Sequence, residues 1–420
     1  MRDVATATAG LFVSSLASGQ VLLEVGDLPG GGVGTVPRAI SADGSVVVGD
    51  VDTGGFGIGL EGFRWTRDTG IVGIGDLPGG PDFTRAFGVS GDGSVIAGTG
   101  RGLLPGLEMT RWVGGGPPTP LGFLPGGGQT GALAISNDGL VLVGEAVNPD
   151  GRPEAVFWTE LGGFVRLGDF PGPVGDPNGF VSQALAVNRD GSVIVGRGRS
   201  ERDFEAFRWT AATGLQDLGL MPDGNLTVRA NAVTPDGSVV VGYANVAGGG
   251  RQAFRWTSAD GLVSLGDLGD PANSVFSEAF DVTADASMIV GRGSPDSGPN
   301  TGFVWTQADG MRSIASFLSN EFGIDVTGWT FDVVFAVSDD GTVLTGAGAN
   351  PNGEAVGWVA ILTGDDCPAD VNGDGELTPA DFNAWVIAFN NQLDSCDQNG
   401  DGLCDPADFN AWILNFNAGC

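Results

Sequence analysis

One pattern recurs seven times along this chain, and it limits the fold more than any other feature of the sequence. Each unit carries a tight-turn dipeptide: Asp43-Gly44, Asp92-Gly93, Asp138-Gly139, Asp190-Gly191, Asp236-Gly237, Asp285-Ala286 and Asp340-Gly341. A β-branched run follows each turn. About twenty residues later comes a tryptophan: Trp65, Trp112, Trp158, Trp209, Trp256, Trp305 and Trp358, spaced by 47, 46, 51, 47, 49 and 53 residues. Internal repetition at such a period marks an array of equivalent units, each of which buries its apolar face against the next.

Residues 229–268 show the content of one unit. Four strand-like runs appear, Ala230–Val233, Ser238–Gly242, Gln252–Thr257 and Gly261–Leu265, and Asp236-Gly237 joins the first two as a hairpin. Four strands in a period near fifty is the size of a propeller blade, so the body is read as an all-β seven-bladed β-propeller over residues 20–362. In the third strand Phe63 and Trp65, Phe207 and Trp209, Phe254 and Trp256, and Phe303 and Trp305 lie two residues apart. Each pair therefore shares one face and is expected to pack between blades. The intervening Arg64, Arg111, Arg208 and Arg255 point the other way.

The ends of the array differ from its middle. The seventh unit stops after Glu354–Leu362 without the Gly-Leu-Val-x-Leu-Gly-Asp-Leu segment that follows Trp256. An orphan copy, Val21-Leu22-Leu23-Glu24-Val25-Gly26-Asp27-Leu28, stands near the start, so the N-terminal strand is expected to complete the last blade and remove an exposed sheet edge. The sixth unit has Ala286 where the others have Gly, and the seventh lacks a Gly-Asp-Leu opening, so irregular blades are expected there.

The units resemble the HAF family of extracellular repeat proteins over residues 26–362. The likeness rests on Gly26-Asp27-Leu28-Pro29-Gly30-Gly31, on Ala39-Ile40-Ser41-Ala42-Asp43-Gly44-Ser45-Val46-Val47-Val48-Gly49 and on Ala253-Phe254-Arg255-Trp256. It implies an extracellular protein and no particular chemistry.

Charge separates a second region. The chain has net charge −32, no His, and 19 basic residues that are all Arg. A nucleic-acid partner is disfavoured, because phosphate binding needs clustered bases. Residues 365–420 hold 11 acids and no Arg. Residues 363–366 read as a linker, and 367–420 as a small α-helical calcium-loop domain. Within it, Asp370, Asn372, Asp374 and Asp381 stand at loop positions 1, 3, 5 and 12, with Glu376 at position 7 and Gly375 at position 6. Asp397, Asn399, Asp401, Asp408, Leu403 and Gly402 repeat the set. Side-chain oxygens at 1, 3, 5 and 12, a carbonyl at 7 and Gly at 6 form the calcium-loop pattern, so two calcium ions are expected.

Each loop enters a helix with Thr378 or Asp405 as N-cap, Pro at the first helical position and an acid at the third. Phe382, Trp385, Val386 and Phe389, and then Phe409, Trp412, Ile413 and Phe416, make one apolar stripe per helix, and the two stripes are expected to pack together. The four cysteines, Cys367, Cys396, Cys404 and Cys420, fit disulfides of an oxidising compartment; without His or a CxxC spacing they do not suit zinc. Three pairings exist. If the two halves pack about a pseudo-twofold axis, Cys367 and Cys420 clasp the ends, which leaves Cys396 with Cys404.

With Asp at position 12 and no helix entering the first loop, residues 367–420 resemble a type I dockerin. The final Gly419-Cys420 is similar to dockerin variants recognised by a terminal Gly-Cys. The resemblance implies docking to a cohesin-like or cell-surface receptor. The usual recognition positions 10 and 11 hold Pro379-Ala380 and Pro406-Ala407.

Residues 1–19, apolar from Val4 to Ala17 and ending Ala17-Ser18-Gly19, read as a secretion signal; no other run approaches the roughly 18 apolar residues of a membrane span. A secreted, surface-attached module with a glycan or protein ligand for the propeller is the leading reading. The rival is a propeller glycosidase or lyase carrying a dockerin. The absence of His and Lys excludes triad and Schiff-base chemistry, and carboxylate pairs remain. Glu61, Glu108, Glu154, Glu205 and Glu354, and Asp27, Asp76, Asp169 and Asp267, recur with the blades and are read as structural. A catalytic residue is expected to break the repeat, the only Tyr is Tyr243, and no catalytic residue is assigned.

Overall fold

A computed structural model describes residues 21–29, 34–53, 59–170, 181–200, 203–221, 224–246, 250–269, 276–295, 298–362, 369, 371, 377–391, 393, 396–398 and 404–418. The chain divides into two compact units, one of which spans Leu22–Ala360. That unit is a seven-bladed β-propeller, with every blade a four-stranded antiparallel sheet.

The N-terminal strand is β1 (Val21–Glu24). Blade one follows with β2 (Thr35–Ile40), β3 (Val47–Asp52), β4 (Leu60–Thr66) and β5 (Gly70–Gly73), and blade two with β6 (Thr84–Val89), β7 (Val95–Gly100), β8 (Glu108–Val113) and β9 (Thr119–Pro120). Blade three has β10 (Thr130–Ile135), β11 (Val141–Val147), β12 (Pro153–Thr159) and β13 (Gly163–Arg166), and blade four β14 (Ser182–Val187), β15 (Val193–Arg199), β16 (Phe204–Thr210) and β17 (Gly214–Asp217). Blade five has β18 (Gly224–Val233), β19 (Val239–Val246), β20 (Arg251–Thr257) and β21 (Gly261–Ser264); blade six has β22 (Ser277–Val282), β23 (Met288–Gly293), β24 (Thr301–Thr306) and β25 (Gly310–Ser313). After helix α1 (Ile314–Phe322), blade seven has β26 (Thr330–Val337), β27 (Val343–Ala349) and β28 (Ala355–Ile361). Its fourth strand is β1, in the order β1-β28-β27-β26, so the two ends of the array close one sheet.

The repeated residues hold the repeated contacts. In each turn the side chain of a Ser, Thr or Asn and that of the Asp accept backbone N–H groups from beyond the turn: Ser41 Oγ donates to Asp43 Oδ1 and accepts from Val46 N (2.9 Å), while Ser45 N donates to Asp43 Oδ1 (3.0 Å). The turn needs a positive φ at its fourth residue, which Gly supplies at no steric cost. In blade six Ala286 takes φ 58° instead and the turn keeps its form, so the expected irregularity does not arise there.

Gly49 and its equivalents recur because the neighbouring backbone is close: a Cβ on Gly49 would lie 2.0 Å from Val36 O. Phe63, Phe207, Phe254 and Phe303 are fully buried, and Trp112, Trp158, Trp305 and Trp358 are also buried, which matches packing between blades. Phe157 of blade three meets Trp209 of blade four at 5.6 Å.

Blade seven differs as expected, and α1 stands where a Gly-Asp-Leu link would. Ser313 caps it by accepting from Ser316 N, and the Gly323 N–H closes it on Leu318 O. Ile314, Phe317 and Leu318 bury its inner face.

The other unit contains α2 (Pro379–Asn391) and α3 (Pro406–Ala418). Both helix entries are reciprocal capping boxes. Ala380 N donates to Thr378 Oγ1 (3.2 Å) and Thr378 N to Asp381 Oδ2 (2.8 Å); Ala407 N donates to Asp405 Oδ1 and Asp405 N to Asp408 Oδ2, both at 2.7 Å. The apolar stripes meet, with Trp385 5.4 Å from Phe409 and Trp412 5.3 Å from Phe382.

Candidate functional site

Two places gather polar groups: the axis of the propeller, and the loops before α2 and α3. The first strands β2, β6, β10, β14, β18, β22 and β26 neighbour one another around the axis and close from β26 back to β2. Each carries a β-bulge at the axis, one extra residue that turns a side chain out of the sheet, and β18 and β26 have a second irregularity nearer their start. Phe87, Leu133, Leu185, Phe280 and Phe335, with Arg38 and Asn231, occupy these seven bulges and surround one axial cavity of about 230 Å³.

At one end the cavity meets the Asp-Gly turns. Backbone bonds run from turn to turn: Ala42 N to Gly91 O, Gly91 N to Asn137 O, Asp138 N to Arg189 O, Arg189 N to Pro235 O, Ala284 N to Asp339 O and Asp339 N to Ala42 O. The step from blade five to blade six is missing because Pro235 has no N–H to give. Side chains of blades three and four then reach across the axis to blade seven. Asn137 donates to Asp339 Oδ2 (3.2 Å), and Arg189 lies 3.5 Å from the same oxygen. Burial raises the Asp339 carboxyl in spite of these partners.

The opposite mouth is charged. Arg38 pairs with Asp50, which is 5% exposed, and Arg85 reaches the same carboxylate at 3.4 Å. Gln183 donates to Glu145 (2.5 Å) and accepts from Arg197 Nε (2.8 Å). Glu278, almost fully buried, takes Arg251 (2.5 Å) and Arg292 (2.7 Å). Tyr243 is buried under Arg251, whose guanidinium lies 5.0 Å from the ring. These residues occupy matching places in the blades, yet their identities change from blade to blade.

The recurrent acids behave as structural groups. Glu154 pairs with Arg166 (2.5 Å), Asp169 accepts from Ser182 (2.6 Å), Glu354 from Asn350 (2.9 Å), and Ser200 donates to Glu205 (2.7 Å). Glu108 is buried, and burial raises its carboxyl; Glu61, Asp27, Asp76 and Asp169 rise for the same leading cause. In the turns, Ser90 and Ser94 hold the Asp92 carboxyl down to about 2.

One acid breaks the repeat inside the channel. Asp281 stands where the other blades have Ala39, Gly88, Ala134, Ala186, Ala232 and Ala336. Val282 N donates to its Oδ1 (2.9 Å) and Val337 N to its Oδ2 (3.0 Å), so it ties blade six to blade seven. Burial pushes this carboxyl up to about 7, with Asp339 adding to the rise and the two N–H bonds opposing it.

The native state thus holds a proton that the unfolded chain loses near pH 4, and the group's contribution to stability falls as pH rises from about 4 to about 7, by at most about 4 kcal/mol. Asp281→Asn should flatten that fall. The check is the difference in melting temperature between about pH 5 and about pH 8 in wild type and variant; an unchanged difference would mean that Asp281 is not a buried acid.

In the second unit each helix start holds its own buried acid. Asp381 and Asp408 are both fully buried, and Gln398 N donates to Asp408 Oδ1 (2.9 Å). The tryptophans cross over: Trp385 of α2 donates to Cys396 O (3.2 Å), just before the second loop, and Trp412 of α3 to Ala369 O (3.1 Å), just before the first. Each helix is therefore pinned to the other half, the relation a pseudo-twofold pair requires. Cys396 and Cys404 are disulfide-bonded with Cα atoms 5.7 Å apart. Asp397 is described. Asp370, Asn372, Asp374, Glu376, Asn399, Asp401, Leu403, Cys367, Cys420, the segment 1–19 and the linker 363–366 lie outside the described residues. Among the described residues no group of three or more metal-ligating side chains converges.

No family model matches the chain. No curated protein matches it. Among solved structures it is similar to TolB from Acinetobacter baumannii at 13% identity, over 76% of this chain and 81% of that one, with a TM-score of 0.39. It is also similar to the β-propeller domain of the Trilobed protease from Pyrococcus furiosus at 8% identity, over 78% and 95%, with a TM-score of 0.49. Neither likeness identifies a ligand or a reaction.

The charged mouth was not found from the sequence. Its signal is present there, in the columns of the aligned repeats that change: Val36, Arg85, Gly131, Gln183, Arg229, Glu278 and Val333 each stand two residues before the axial bulge residue.

Proposed function

We propose that this protein is a secreted module held at a cell surface, with the propeller acting as a binding and structural ring and the C-terminal unit as a calcium-dependent anchor. The crossed Trp385 and Trp412 hydrogen bonds carry this reading. They fix two equivalent helix starts, with Asp381 and Asp408 buried in them, against the residues that open the opposite loops.

A buried carboxylate at each position 12 suits a divalent cation, which favours acids that would otherwise cost free energy to bury. Asp370, Asn372, Asp374, Glu376 and Asp381 would hold one calcium ion, and Asp397, Asn399, Asp401, Leu403 and Asp408 the other. Calcium would neutralise the grouped acids and fix the loops. The Cys396–Cys404 bond supports an oxidising compartment. Phe382, Phe409, Ile387 and Leu414 remain partly or largely exposed on the helices and supply apolar surface for a cohesin-like or other surface receptor.

Replacing Asp370 and Asp397 together with Ala should release the protein from the surface of producing cells into the medium while secretion stays intact. Cell-surface labelling and immunoblotting of the medium read both quantities. A double variant that stays surface-bound would sink the anchor reading.

A further inference from the structure

The mouth of the propeller carries a local surplus of positive charge in a chain of net charge −32. Arg38, Arg85, Arg197, Arg229, Arg251 and Arg292 face Asp50, Glu145 and Glu278, six cations to three anions. Further outward the sequence supplies both signs, with Arg101 and Arg199 and with Asp52 and Asp332, the last at the second bulge of β26.

The surplus centres on blades four and five. Arg229 lines the axial cavity, and its Nε is buried with no hydrogen-bond partner. Arg197 is close enough that the Arg229 charge, after burial, pushes its guanidinium below the ordinary value. Glu145, whose charge acts on Arg197 in the opposite sense, is already engaged by Gln183. A buried guanidinium nitrogen without an acceptor is costly, and a second cation beside it adds to the cost. An anion bound at the mouth would relieve both.

The cavity below Arg229 restricts the anion's body. It is only about 230 Å³ and is walled by the apolar bulge residues, with Phe280 and Phe335 rings 6.0 Å apart and Phe87 flanked by the guanidiniums of Arg38 and Arg85 at 5.1 and 5.0 Å. A fully hydrated inorganic anion would leave these faces unused. A compact ring bearing one carboxylate uses both parts, because its flat face rests on the aromatic wall while the carboxylate takes the guanidiniums.

We propose that the axial mouth is a binding site for a small cyclic carboxylate, with Arg229 and Arg38 as its anion contacts. The proposal rests on the reading of the propeller as a binding module and is independent of the calcium tail. Titration of the full chain in solution can therefore fail while surface retention succeeds, and the reverse.

Isothermal titration with benzoate and with D-glucuronate distinguishes an aromatic from a sugar ring, and benzyl alcohol, D-glucose and inorganic phosphate serve as controls. At least one carboxylate should bind with a dissociation constant below about 1 mM at low salt, its neutral counterpart about tenfold or more weakly, and the affinity should fall as salt rises. Arg229→Gln should weaken binding about tenfold or more, and Arg38→Gln, read separately in case the first variant misfolds, should also weaken it. Arg208→Gln, whose guanidinium reaches Gly237 O at the turn end, should bind as wild type. No binding of either carboxylate up to about 10 mM, phosphate binding more tightly than both, or full affinity in folded Arg229→Gln and Arg38→Gln proteins would each overturn the proposal.

Discussion

A chain lacking residues 21–28 should lose a larger share of its propeller stability than any single core substitution removes. The deleted segment is the fourth strand of blade seven, and its backbone continues the pairing past the strand itself, with Val25 N donating to Gly357 O (2.9 Å). Val25 and Leu28 are buried, and Leu28 reaches across to Gly73 of blade one. Burial of two such side chains contributes roughly 3–6 kcal/mol. The Asn350 amide also donates to Glu24 Oε1 (3.0 Å), a contact between residues 326 apart in sequence.

Against a total stability of about 5–15 kcal/mol this loss is large, and β28 becomes an open sheet edge. The ring should not unravel outright, because Asp339 N still bonds Ala42 O between blades seven and one. Urea unfolding should therefore show a midpoint lowered by about a third or more, together with concentration-dependent aggregation. Added peptide of residues 21–28 should restore part of the loss by rejoining the edge. A midpoint within the range of ordinary point variants would show that closure by β1 contributes little.

The propeller was legible because its blades share one problem. Every blade needs a bulky residue at one place and a turn at another, so the third-strand Trp and the Asp-led turn return in the sequence once per blade. The closing strand was legible for the same reason, as a copy without its unit. The bulges were not. An inserted residue alters the strand's period at a single point, and Arg38, Phe87 and Phe280 share no chemistry that would mark them as equivalent.

Repeat logic also directs attention to what is shared, whereas the axis is lined by what differs. Asp281 and Arg229 stand out only once their columns are known. Helix α1 escaped because nine residues with three buried apolar side chains give too short a pattern to distinguish from a strand and turn. In the tail, the capping boxes and the meeting of the two stripes followed directly from residue types and spacing. The crossed tryptophan bonds did not, since each depends on a backbone carbonyl from the other half.

If the tail folds around calcium as proposed, chelation should unfold it and leave the propeller unchanged. The tail has a small core, in which Trp385, Trp412, Ala388 and Cys396 are the buried centre, and it must also hold Asp381 and Asp408 out of water. Without a cation the grouped loop carboxylates repel one another, and so small a core cannot offset the repulsion. The Cys396–Cys404 bond closes only a short loop and cannot organise α2. At calcium concentrations about a thousandfold above the dissociation constant, each site would stabilise the folded tail by about 4 kcal/mol, so removing both should be decisive.

The propeller instead rests on extensive apolar packing between blades. Hydrogen exchange with and without EDTA separates the two units in one experiment. Protection at residues 379–390 and 406–417 should fall by about a hundredfold or more, while that of residues 21–362 stays the same. Asp370→Ala with Asp397→Ala should reproduce the chelator's pattern in the presence of calcium. If α2 and α3 keep their protection in EDTA, their capping boxes and aromatic core suffice without metal, and the acidic loops are not calcium sites.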